Sequence, residues 1–476
     1  MDLSEWEAKV QKLTRKYNHF DVWVSYERVK EYILNIENIE QHGFYPLIHF
    51  FMPKYKWKNG FIDKSKRREI YYAAHIDSWI YRYYSYKLNE LYNTYVEKYK
   101  FPWAPVAYRT NLGLSNVDFA YNAFEFIREL QKQKEDCYVV IGDFTDFFDS
   151  LEHAYLKEQL LDLLGDENIE ISRSRKLPKD YYNVFKNITK YSYVDIEDIL
   201  AYHKLEACDR DKRLLNKESF NGGRVLSMAK LRLSDKIRIH KHNNIYGIPQ
   251  GTPISAVLAN IYMIKWDLLL KEWVDSKNGF YQRYSDDFII VIPKLECSKG
   301  NLEAFINNQV KSIPKLVLQP EKQKWFEVRP DEIINFEKIL SENINIVKSE
   351  KTRINYLGFS FDGDKVSIRD KTISRYYGKM NEAIRSIIKQ DGVTHPRNPK
   401  VKSKIIPLYR LYNQYTYKGT IFYRKYHRNY KHVQLIEQDK GNFHDYVLRA
   451  QKKFKNDESI SDITTKSIRH LLKRFK

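Results

Sequence analysis

Two adjacent aspartates interrupt a run of strand-forming residues in the second half of the chain. Residues 280–292, FYQRYSDDFIIVI, predict two β-strands that turn at Ser285, Asp286 and Asp287. Two like-charged carboxylates in such an apolar setting are costly to bury unless a cation neutralises them. An exposed Asp-Asp turn between two strands is the simpler interpretation, and the pair alone favours it.

A second acidic residue ends another apolar run, 143 positions before Asp286. Residues 139–151, VVIGDFTDFFDSL, place Asp143 at the end of a predicted strand. If the fold brings the two strand ends together, three carboxylates can hold a pair of Mg²⁺ ions, with Mn²⁺ as the alternative. Ions spaced about 3.5–4 Å apart promote in-line displacements at phosphorus. We interpret Asp146 and Asp149 as structural, with Asp149 capping the following helix, although either one as a ligand stays open.

A glycine- and proline-rich loop precedes a helix of small and apolar residues at 247–263, GIPQGTPISAVLANIYM. Its two glycines and two prolines predict a tight, unusual turn, and glycine lets the backbone approach a ligand closely. Gln250 places an amide beside that turn. A purely structural turn is the alternative.

These segments, in this order, resemble the motifs of reverse transcriptases. The resemblance rests on five segments spread over about 220 residues. They are the first catalytic motif (Asp143–Asp149), the template and nucleotide loop (Gly247–Asn260), the second catalytic motif (Tyr284–Asp287), the next motif (Leu316-Val317-Leu318, followed by Lys322) and the primer-grip hairpin (Tyr356-Leu357-Gly358-Phe359).

The resemblance implies a role for each matching residue. Asp143, Asp286 and Asp287 would be catalytic and would bind the metal ions, with the Phe144 carbonyl as a further ligand. Phe148 would pack against the sugar and exclude a 2′-hydroxyl, which favours deoxynucleotides; plain core packing is the alternative.

The nucleotide-binding residues follow from the same resemblance. Gln250 would contact the nucleotide or template, and Lys322 would neutralise or protonate pyrophosphate unless it is simply solvated. The basic cluster KSKRRE (64–69) offers Arg67 and Arg68 to the triphosphate. A solvated helix start is an equal alternative for this cluster. Arg109 is a weaker candidate for a template or nucleotide contact.

The implied fold class is α+β, a right-hand polymerase. We expect an N-terminal helical region and fingers over 1–136, and a palm with an antiparallel sheet and helices over 137–345. A fingers segment would be inserted at about 151–246, and 346–476 would form the primer-grip hairpin, a basic helical thumb and a C-terminal extension. Periodicity predicts helices and strands within these units. The predicted helices are 68–98, 116–133, 255–273, 302–312 and much of 151–236 and of the chain after 373, with a loop at 208–213 and a break at 391–400; the predicted strands are 137–144, the pair within 280–292 and a hairpin over 354–368 that turns at 362–364.

Most of the positive charge lies near the end of the chain. The net charge is +20, and residues 371–476 contain 25 Lys and Arg against 8 Asp and Glu, whereas the first 370 contain 56 against 53. Such a basic surface attracts a polyanion, so RNA or DNA is the expected partner; a merely soluble tail is the alternative. The 38 Tyr also suit base stacking, although they equally suit ordinary cores.

Cysteine usage and the absence of apolar segments indicate a cytoplasmic protein. Cys137, Cys208 and Cys297 form no paired motif, which fits a reducing compartment. The first 20 residues lack the apolar core of a signal peptide, and no apolar run of about 18 residues is available to span a bilayer. We therefore expect no membrane partner.

Three further segments, at 71–84, 188–195 and 442–454, are similar to those of bacterial defence-associated reverse transcriptases of the unknown-group and abortive-infection types. This resemblance implies a bacterial enzyme that copies a bound, structured non-coding RNA into DNA from dNTPs in antiphage defence. A homo-oligomer is left open. The alternatives are template-independent or protein-primed DNA synthesis, a retron-like reverse transcriptase and, from a different class, a non-catalytic RNA-binding scaffold.

Overall fold

The computed structural model describes residues 3–13, 17–58, 61–205, 224–319, 323–336, 352–389 and 442–455, together with 393–394, 404–405, 411 and 414–415. Three predictions fall outside these residues: Lys322, the loop at 208–213 and most of the break at 391–400. Helices and sheets are mixed along the described chain, as the predicted α+β class requires.

The helices are α1 (Leu3–Val10), α2 (Tyr26–Leu34), α3 (Ile36–Glu40), α4 (His75–Lys98), α5 (Asn116–Lys132), α6 (Phe147–Ser150), α7 (His153–Gly165), α8 (Ile169–Ser174), α9 (Lys179–Thr189), α10 (Ile196–Tyr202), α11 (Met228–Leu233), α12 (Ser255–Tyr262), α13 (Ile264–Asp275), α14 (Lys299–Ser312), α15 (Asp370–Lys389) and α16 (Phe443–Lys453). The strands are β1 (Leu47–Lys58), β2 (Phe61–Tyr72), β3 (Cys137–Asp143), β4 (Ser192–Asp195), β5 (His240–Lys241), β6 (Phe280–Tyr284), β7 (Asp287–Pro293), β8 (Lys324–Val328), β9 (Ile333–Asn335), β10 (Ile354–Tyr356), β11 (Phe359–Phe361), β12 (Val366–Ile368), β13 (Val393–Thr394) and β14 (Lys404–Ile405).

The central sheet has five antiparallel strands in the order β6-β7-β3-β8-β9. Every residue of β3 is buried, because the sheet is covered on both faces. Alternate side chains enter two different cores: Val140 and Ile290 pack with α12 and α13, whereas Val139 and Ile289 pack with α5 and β10–β12. Burial on both faces explains why β3 and β7 are nearly continuous apolar runs in the sequence.

A second sheet, in the order β2-β1-β4-β5, includes residues of the N-terminal region for which the sequence predicted only helices. The helix predicted from Arg68 begins only at His75, because residues up to Tyr72 pair with β1. The N-terminus of α4 is capped from a distance, since Asp21 accepts hydrogen bonds from the His75 and Ile76 amides at 3.0 and 2.9 Å. No residue near the helix start reveals this cap, so the local sequence pattern placed the start of the helix too early.

The C-terminal part pairs β10, β11 and β12 into an antiparallel meander. The predicted turn at 362–364 joins β11 to β12, and an additional turn at Leu357-Gly358 joins β10 to β11. The single helix predicted over 255–273 is divided into α12 and α13 at Met263. None of the described helices combines the length and the apolar character that crossing a bilayer requires.

Candidate catalytic and metal site

The two predicted acidic strand ends meet in the central sheet. Antiparallel pairing of β3 with β7 aligns Asp143 with Asp287, and β6 returns to β7 through the turn at Ser285-Asp286. Ser285 adopts φ 61°, the left-handed region that a two-residue hairpin requires. Carboxylate oxygens of Asp143, Asp286 and Asp287 all lie within 4.8 Å of one another.

The donor set of this trio fits a divalent cation. Asp143 is only 7% exposed and the two other aspartates are half-buried. Three carboxylates at this spacing repel one another, and a bound cation offsets that repulsion. All of the donor atoms are hard oxygens, which suit ions such as Mg²⁺ rather than metals that prefer nitrogen or sulfur.

Backbone hydrogen bonds hold the segment after Asp143 against the turn. The Phe144 amide donates to the Asp286 carbonyl at 3.1 Å, and the Gln319 amide donates to the Asp143 carbonyl at 2.9 Å. The Thr145 amide donates to the Val317 carbonyl at 2.9 Å, which places the predicted Leu316–Leu318 motif beside the carboxylates. The Phe144 main chain is therefore adjacent to the trio, where its carbonyl was predicted to bind.

The segment between Asp143 and α7 corrects one interpretation. Asp146 and Asp149 are both exposed, and Asp149 lies within the short helix α6. The cap of the next helix, α7, is Glu152, whose side chain accepts the Tyr155 amide at 2.6 Å. Asp149 is thus not the helix cap.

Packing explains the glycine that precedes Asp143. Gly142 pairs with Phe288 across β3 and β7, and a Cβ at Gly142 would lie 2.2 Å from the Phe288 ring. The ring itself is fully buried against Phe144 and Trp266. Any side chain at position 142 would displace the aromatic residue next to Asp287.

A buried ion pair beneath the Ser285-Asp286 turn was not predicted. Arg283 and Asp267 have fully buried side chains, and two guanidinium nitrogens donate to the Asp267 carboxylate at 2.8 and 2.6 Å. A third nitrogen donates to the Ser285 carbonyl at 2.8 Å, inside the turn that carries Asp286. Burial opposes ionisation of Arg283, but the Asp267 carboxylate raises its pKa above the usual range. The sequence signal that could have revealed this pair was Arg283 itself, a charged residue within the buried strand β6.

The Gln250 loop links the two sheets. The Gln250 carbonyl accepts the Tyr71 amide of β2 at 2.8 Å, and the Ile248 amide donates to the Phe148 carbonyl at 2.9 Å. The predicted need for glycine is confirmed at Gly251, which has φ 110° and whose Cβ would lie 2.6 Å from the Tyr71 carbonyl oxygen. The loop therefore holds Gln250 between β2 and the segment that follows Asp143.

Phe148 is half-buried beside Phe147, which is only 3% exposed. Their rings meet edge to face at 5.6 Å. Of these two neighbouring rings, Phe148 is the one that a substrate can reach. Its role against the sugar remains a prediction.

Arg67 and Arg68 lie in β2, not at a helix start, and both are exposed. Adjacent residues of a strand point to opposite faces. Arg67 shares a face with Tyr71, whose ring packs against Tyr191. Burial raises the pKa of Tyr191, and the Asp149 carboxylate lies near enough to raise it further. The face that carries Arg67 and Tyr71 thus lies towards Asp149, in the segment that follows Asp143.

Arg109, a weaker candidate for contacting the template, is 5% exposed. Its Nε donates to Asn93 at 2.9 Å, and another nitrogen donates to the carbonyls of Pro102 and Pro105. These contacts explain why the side chain is buried, so the template role is not supported.

The predicted primer-grip hairpin packs on the central sheet. Its turn residues, Leu357 and Gly358, have φ 46° and 93°, and Asn116 of α5 donates to the Leu357 carbonyl at 2.9 Å. Tyr356 is 2% exposed and donates to Gln282 of β6 at 3.3 Å. Burial and the nearby Asp287 carboxylate raise the pKa of Tyr356 well above its usual range. Leu357 and Gly358 are half-buried, so the turn is partly accessible, and its role as a primer grip remains a prediction.

Part of the chain matches a known protein family. Residues 186–361 match the family model of the reverse transcriptase (RNA-dependent DNA polymerase). The match contains the Gln250 loop, Asp286, Asp287 and the Leu357-Gly358 turn, while Asp143 lies before it and is brought in by the sheet register. A search of curated proteins found no match.

Solved structures give distant likenesses. Apo telomerase from Candida tropicalis, truncated from its C-terminal domain, has 12% identity and a TM-score of 0.40, covering 67% of this chain and 55% of its own. Telomerase from Candida albicans in complex with a fragment of telomeric RNA has 13% identity and a TM-score of 0.39, covering 99% of this chain and 67% of its own. This chain thus spans little more than half the length of the first of these relatives, and likeness at this level carries no functional argument. The family match and the converging carboxylates identify the chain as one that contains a reverse transcriptase domain.

Proposed function

We propose that the chain is an RNA-directed DNA polymerase that extends a primer with dNTPs by two-metal-ion nucleotidyl transfer. The observation that carries this proposal is the convergence of Asp143, Asp286 and Asp287, whose oxygens lie within 4.8 Å of one another. Its division into fingers (1–136 and 151–246), palm (137–345) and thumb with extension (346–476) belongs to the same proposal. The domain match over 186–361 supports the reaction class.

In the proposed mechanism, the three carboxylates and the Phe144 carbonyl would hold Mg²⁺, or Mn²⁺ as a substitute. Bound ions of this kind activate an attacking hydroxyl and stabilise the leaving group of an in-line displacement. Arg283 fixes the turn that orients Asp286, through its hydrogen bond to the Ser285 carbonyl. The fixed geometry keeps the carboxylates in place before substrate binds, so little reorganisation is needed during reaction.

The remaining residues would select and position the substrates. Phe148 would pack on the sugar and Gln250 on the nucleotide or template, while Arg67 would contact phosphate from β2. Lys322 stays a candidate for the pyrophosphate. The Leu357-Gly358 turn would support the primer end near Asp287.

Primer extension on an RNA template tests the proposal. Purified protein with Mg²⁺, dNTPs and an annealed DNA primer should extend the primer, and Asp287→Asn should lower kcat at least about 100-fold. Asp331→Asn, which changes an exposed aspartate outside the site, is the matched control and should keep full activity. Activity that survives Asp286→Ala and Asp287→Ala together would show that the site lies elsewhere.

The proposed biological role is antiphage defence in a bacterial cytoplasm, with a structured non-coding RNA as template. It rests on the resemblance of three segments and on the basic C-terminal region, which holds 25 Lys and Arg against 8 Asp and Glu. Sequencing the RNA and DNA that co-purify with the protein would identify template and product. Expression of the wild type, but not of Asp287→Asn, should reduce phage plaque formation. Equal plaque counts would refute the defence role while leaving the polymerase activity intact.

Protein-primed synthesis is a second candidate, and one observation favours it. Tyr108 is 45% exposed, and its hydroxyl donates to the Ser285 hydroxyl at 3.1 Å, one residue from Asp286. A tyrosine hydroxyl in this position can replace a primer 3′-hydroxyl as the nucleophile. Incubation with a single labelled dNTP and no primer should then label the wild-type protein but not Tyr108→Phe. Label that is absent from wild-type protein would exclude this route.

A further inference from the structure

One face of the β2-β1-β4-β5 sheet carries an unexpected group of titratable side chains. Register aligns His49 of β1 with Asp195 of β4, and Tyr193 of β4 with His240 of β5. Because side chains alternate along a strand, His49, Asp195 and His240 share one face. On the opposite face, Ile48 and Val194 are fully buried in an apolar core. The polar face therefore has no role in that core.

Three ligand atoms converge on this face. One atom each from Asp195, Asp198 and His240 lies within 4.8 Å of the others, and all three side chains are half-buried. The His240 Nε2 is 3.5 Å from an Asp195 oxygen. Asp195 ends β4, Asp198 lies in the first turn of α10, and His240 begins β5. The group thus joins three elements that meet at this edge of the sheet.

His49 supports the Asp195 carboxylate from the neighbouring strand. It is 4% exposed and walled by the rings of Phe51, Tyr71 and Tyr193, and its Nδ1 contacts the other Asp195 oxygen. Its Nε2 is buried without a hydrogen-bond partner among the described residues. The Glu69 carboxylate is 3.9 Å from this nitrogen, beyond hydrogen-bond range. This nitrogen faces Glu69, on the far side of the ring from Asp195, so the contribution of His49 to the group is the Nδ1 contact that orients the Asp195 carboxylate.

We propose that Asp195, Asp198 and His240 bind one divalent transition-metal ion of the Zn²⁺ class. Two carboxylates and one imidazole suit Zn²⁺ and its neighbours, whereas the all-oxygen catalytic trio suits Mg²⁺. His49 then acts from behind the site, because an imidazole that donates to a ligating carboxylate keeps it ionised and oriented. Three protein ligands leave a coordination position for water, in keeping with the partial exposure of the site.

The bound ion would connect β5 to the junction of β4 and α10 and so stabilise their pairing. β5 has only two residues, and its pairing with β4 covers only Ser192 and Tyr193. So short a pair gains little stability from hydrogen bonds alone, and a metal ion that binds only the folded form adds its binding free energy to that of folding. The site lies outside the catalytic trio, so the inference does not depend on the proposed polymerase activity.

Co²⁺ is the probe for this test, because its visible absorption reports nitrogen and oxygen ligands. Chelator-treated full-length protein in excess Mg²⁺, which occupies the catalytic trio, should bind one equivalent of Co²⁺, and Zn²⁺ should displace it. His240→Ala and the nearly isosteric Asp198→Asn should weaken Co²⁺ binding at least tenfold. His242→Ala is the matched control, since His242 stacks on Tyr191 outside the cluster, and it should bind like the wild type.

A second measurement, of Tm, distinguishes the loss of metal binding from the loss of the folded state. Co²⁺ or Zn²⁺ should raise the Tm of the wild type and of His242→Ala, but not that of Asp198→Asn. The Asp286→Ala, Asp287→Ala double variant should still bind one equivalent, which separates this site from the catalytic one. Wild-type protein that binds no Co²⁺ in excess Mg²⁺, or His240→Ala that binds it equally well, would overturn the inference.

Discussion

At the scale of single residues, the effect of the Arg283–Asp267 pair on stability can be measured separately from its effect on catalysis. Both side chains are fully buried, so Asp267→Asn should destabilise the fold by about 3–5 kcal/mol, because the Arg283 charge loses its partner. Urea denaturation would measure the change. Asp275→Asn, which breaks the exposed Lys271–Asp275 pair on the same helix, is the control and should cost less than about 1 kcal/mol.

The same pair tests how the catalytic turn is held. Replacing both residues by apolar ones, Arg283→Met with Asp267→Leu, should recover much of the lost stability, since no charge is left buried. The Ser285 carbonyl would still lose its donor, so kcat should fall while the KM for dNTP changes little. A double variant with wild-type kcat would show that Arg283 supports only the fold.

His19 gives the fold a dependence on pH. Its side chain is completely buried, and burial, with a smaller effect from His75, lowers its pKa to about 3. The unfolded state therefore binds a proton that the folded state does not, and stability falls as pH drops below the unfolded value of about 6.5. Between pH 7.5 and 5.0 this histidine should cost roughly 2 kcal/mol, which His19→Gln should abolish in urea titrations. An unchanged pH dependence in the variant would contradict the assignment.

At the scale of elements, strand alternation separates two candidates that the sequence treats alike. Arg67 faces the catalytic segment and its guanidinium lies 5.8 Å from the centre of the Phe51 ring, whereas Arg68 points to the opposite face. Losing a charge-assisted hydrogen bond to phosphate costs about 1.5–3 kcal/mol, so Arg67→Ala should raise the KM for dNTP about tenfold or more. Arg68→Ala is the matched control, with a change below about twofold. A larger effect at Arg68 would place the triphosphate on the other face.

Elements were predictable where their signals are local. The range of α5 was predicted almost correctly, because Ser115 and Asp118 cap it within one turn. The start of α4 was misplaced because its cap, Asp21, is distant in sequence, and β2 was missed because its partner strand decides it. The turn at Leu357 was indicated only by the family resemblance. The local pattern missed it because leucine rarely adopts a positive φ, and tertiary contacts such as that from Asn116 hold it there.

The residues of the candidate site also divide into those that local sequence signals predict and those that depend on tertiary packing. The three aspartates were predictable because carboxylates at the ends of apolar strands stand out, and the register then aligns Asp143 with Asp287. Arg283 and Asp267 escaped prediction because their pairing depends on how β6 packs against α13. The geometry around His49 was also not predicted, because His49 and Asp195 lie on paired strands that are far apart in sequence.

At the scale of the whole molecule, residues 442–455 pack on the central sheet. Helix α16 packs Val447, Ala450 and Phe454 into the core that also contains one face of the central sheet. Lys453 adds an ion pair of 3.1 Å with Asp118 of α5. Because this helix covers the sheet that positions Asp143, residues 442–455 contribute to the same fold.

The charge distribution leads to the last prediction, on RNA binding. Residues 371–476 carry most of the net charge of +20, so they should supply most of the side chains that bind phosphate. Removing one basic side chain from a phosphate lowers the slope of log K against log salt by about 0.7–0.9. Replacing Arg424, Lys425, Arg428 and Lys431 with Gln should therefore reduce the slope by up to roughly 3 and weaken binding most at low salt.

Position, and not charge alone, decides the outcome of this experiment. A control with the same reduction in charge replaces four exposed residues of the nearly neutral first 370, namely Lys132, Arg173, Lys176 and Lys179. A long-range field acts similarly in both variants, whereas direct binding to phosphate is weakened only where RNA docks. Filter binding between about 50 and 200 mM salt should then give the control a slope close to that of the wild type. An equal reduction of slope in the two variants would mean that the C-terminal charge attracts RNA without forming its docking surface.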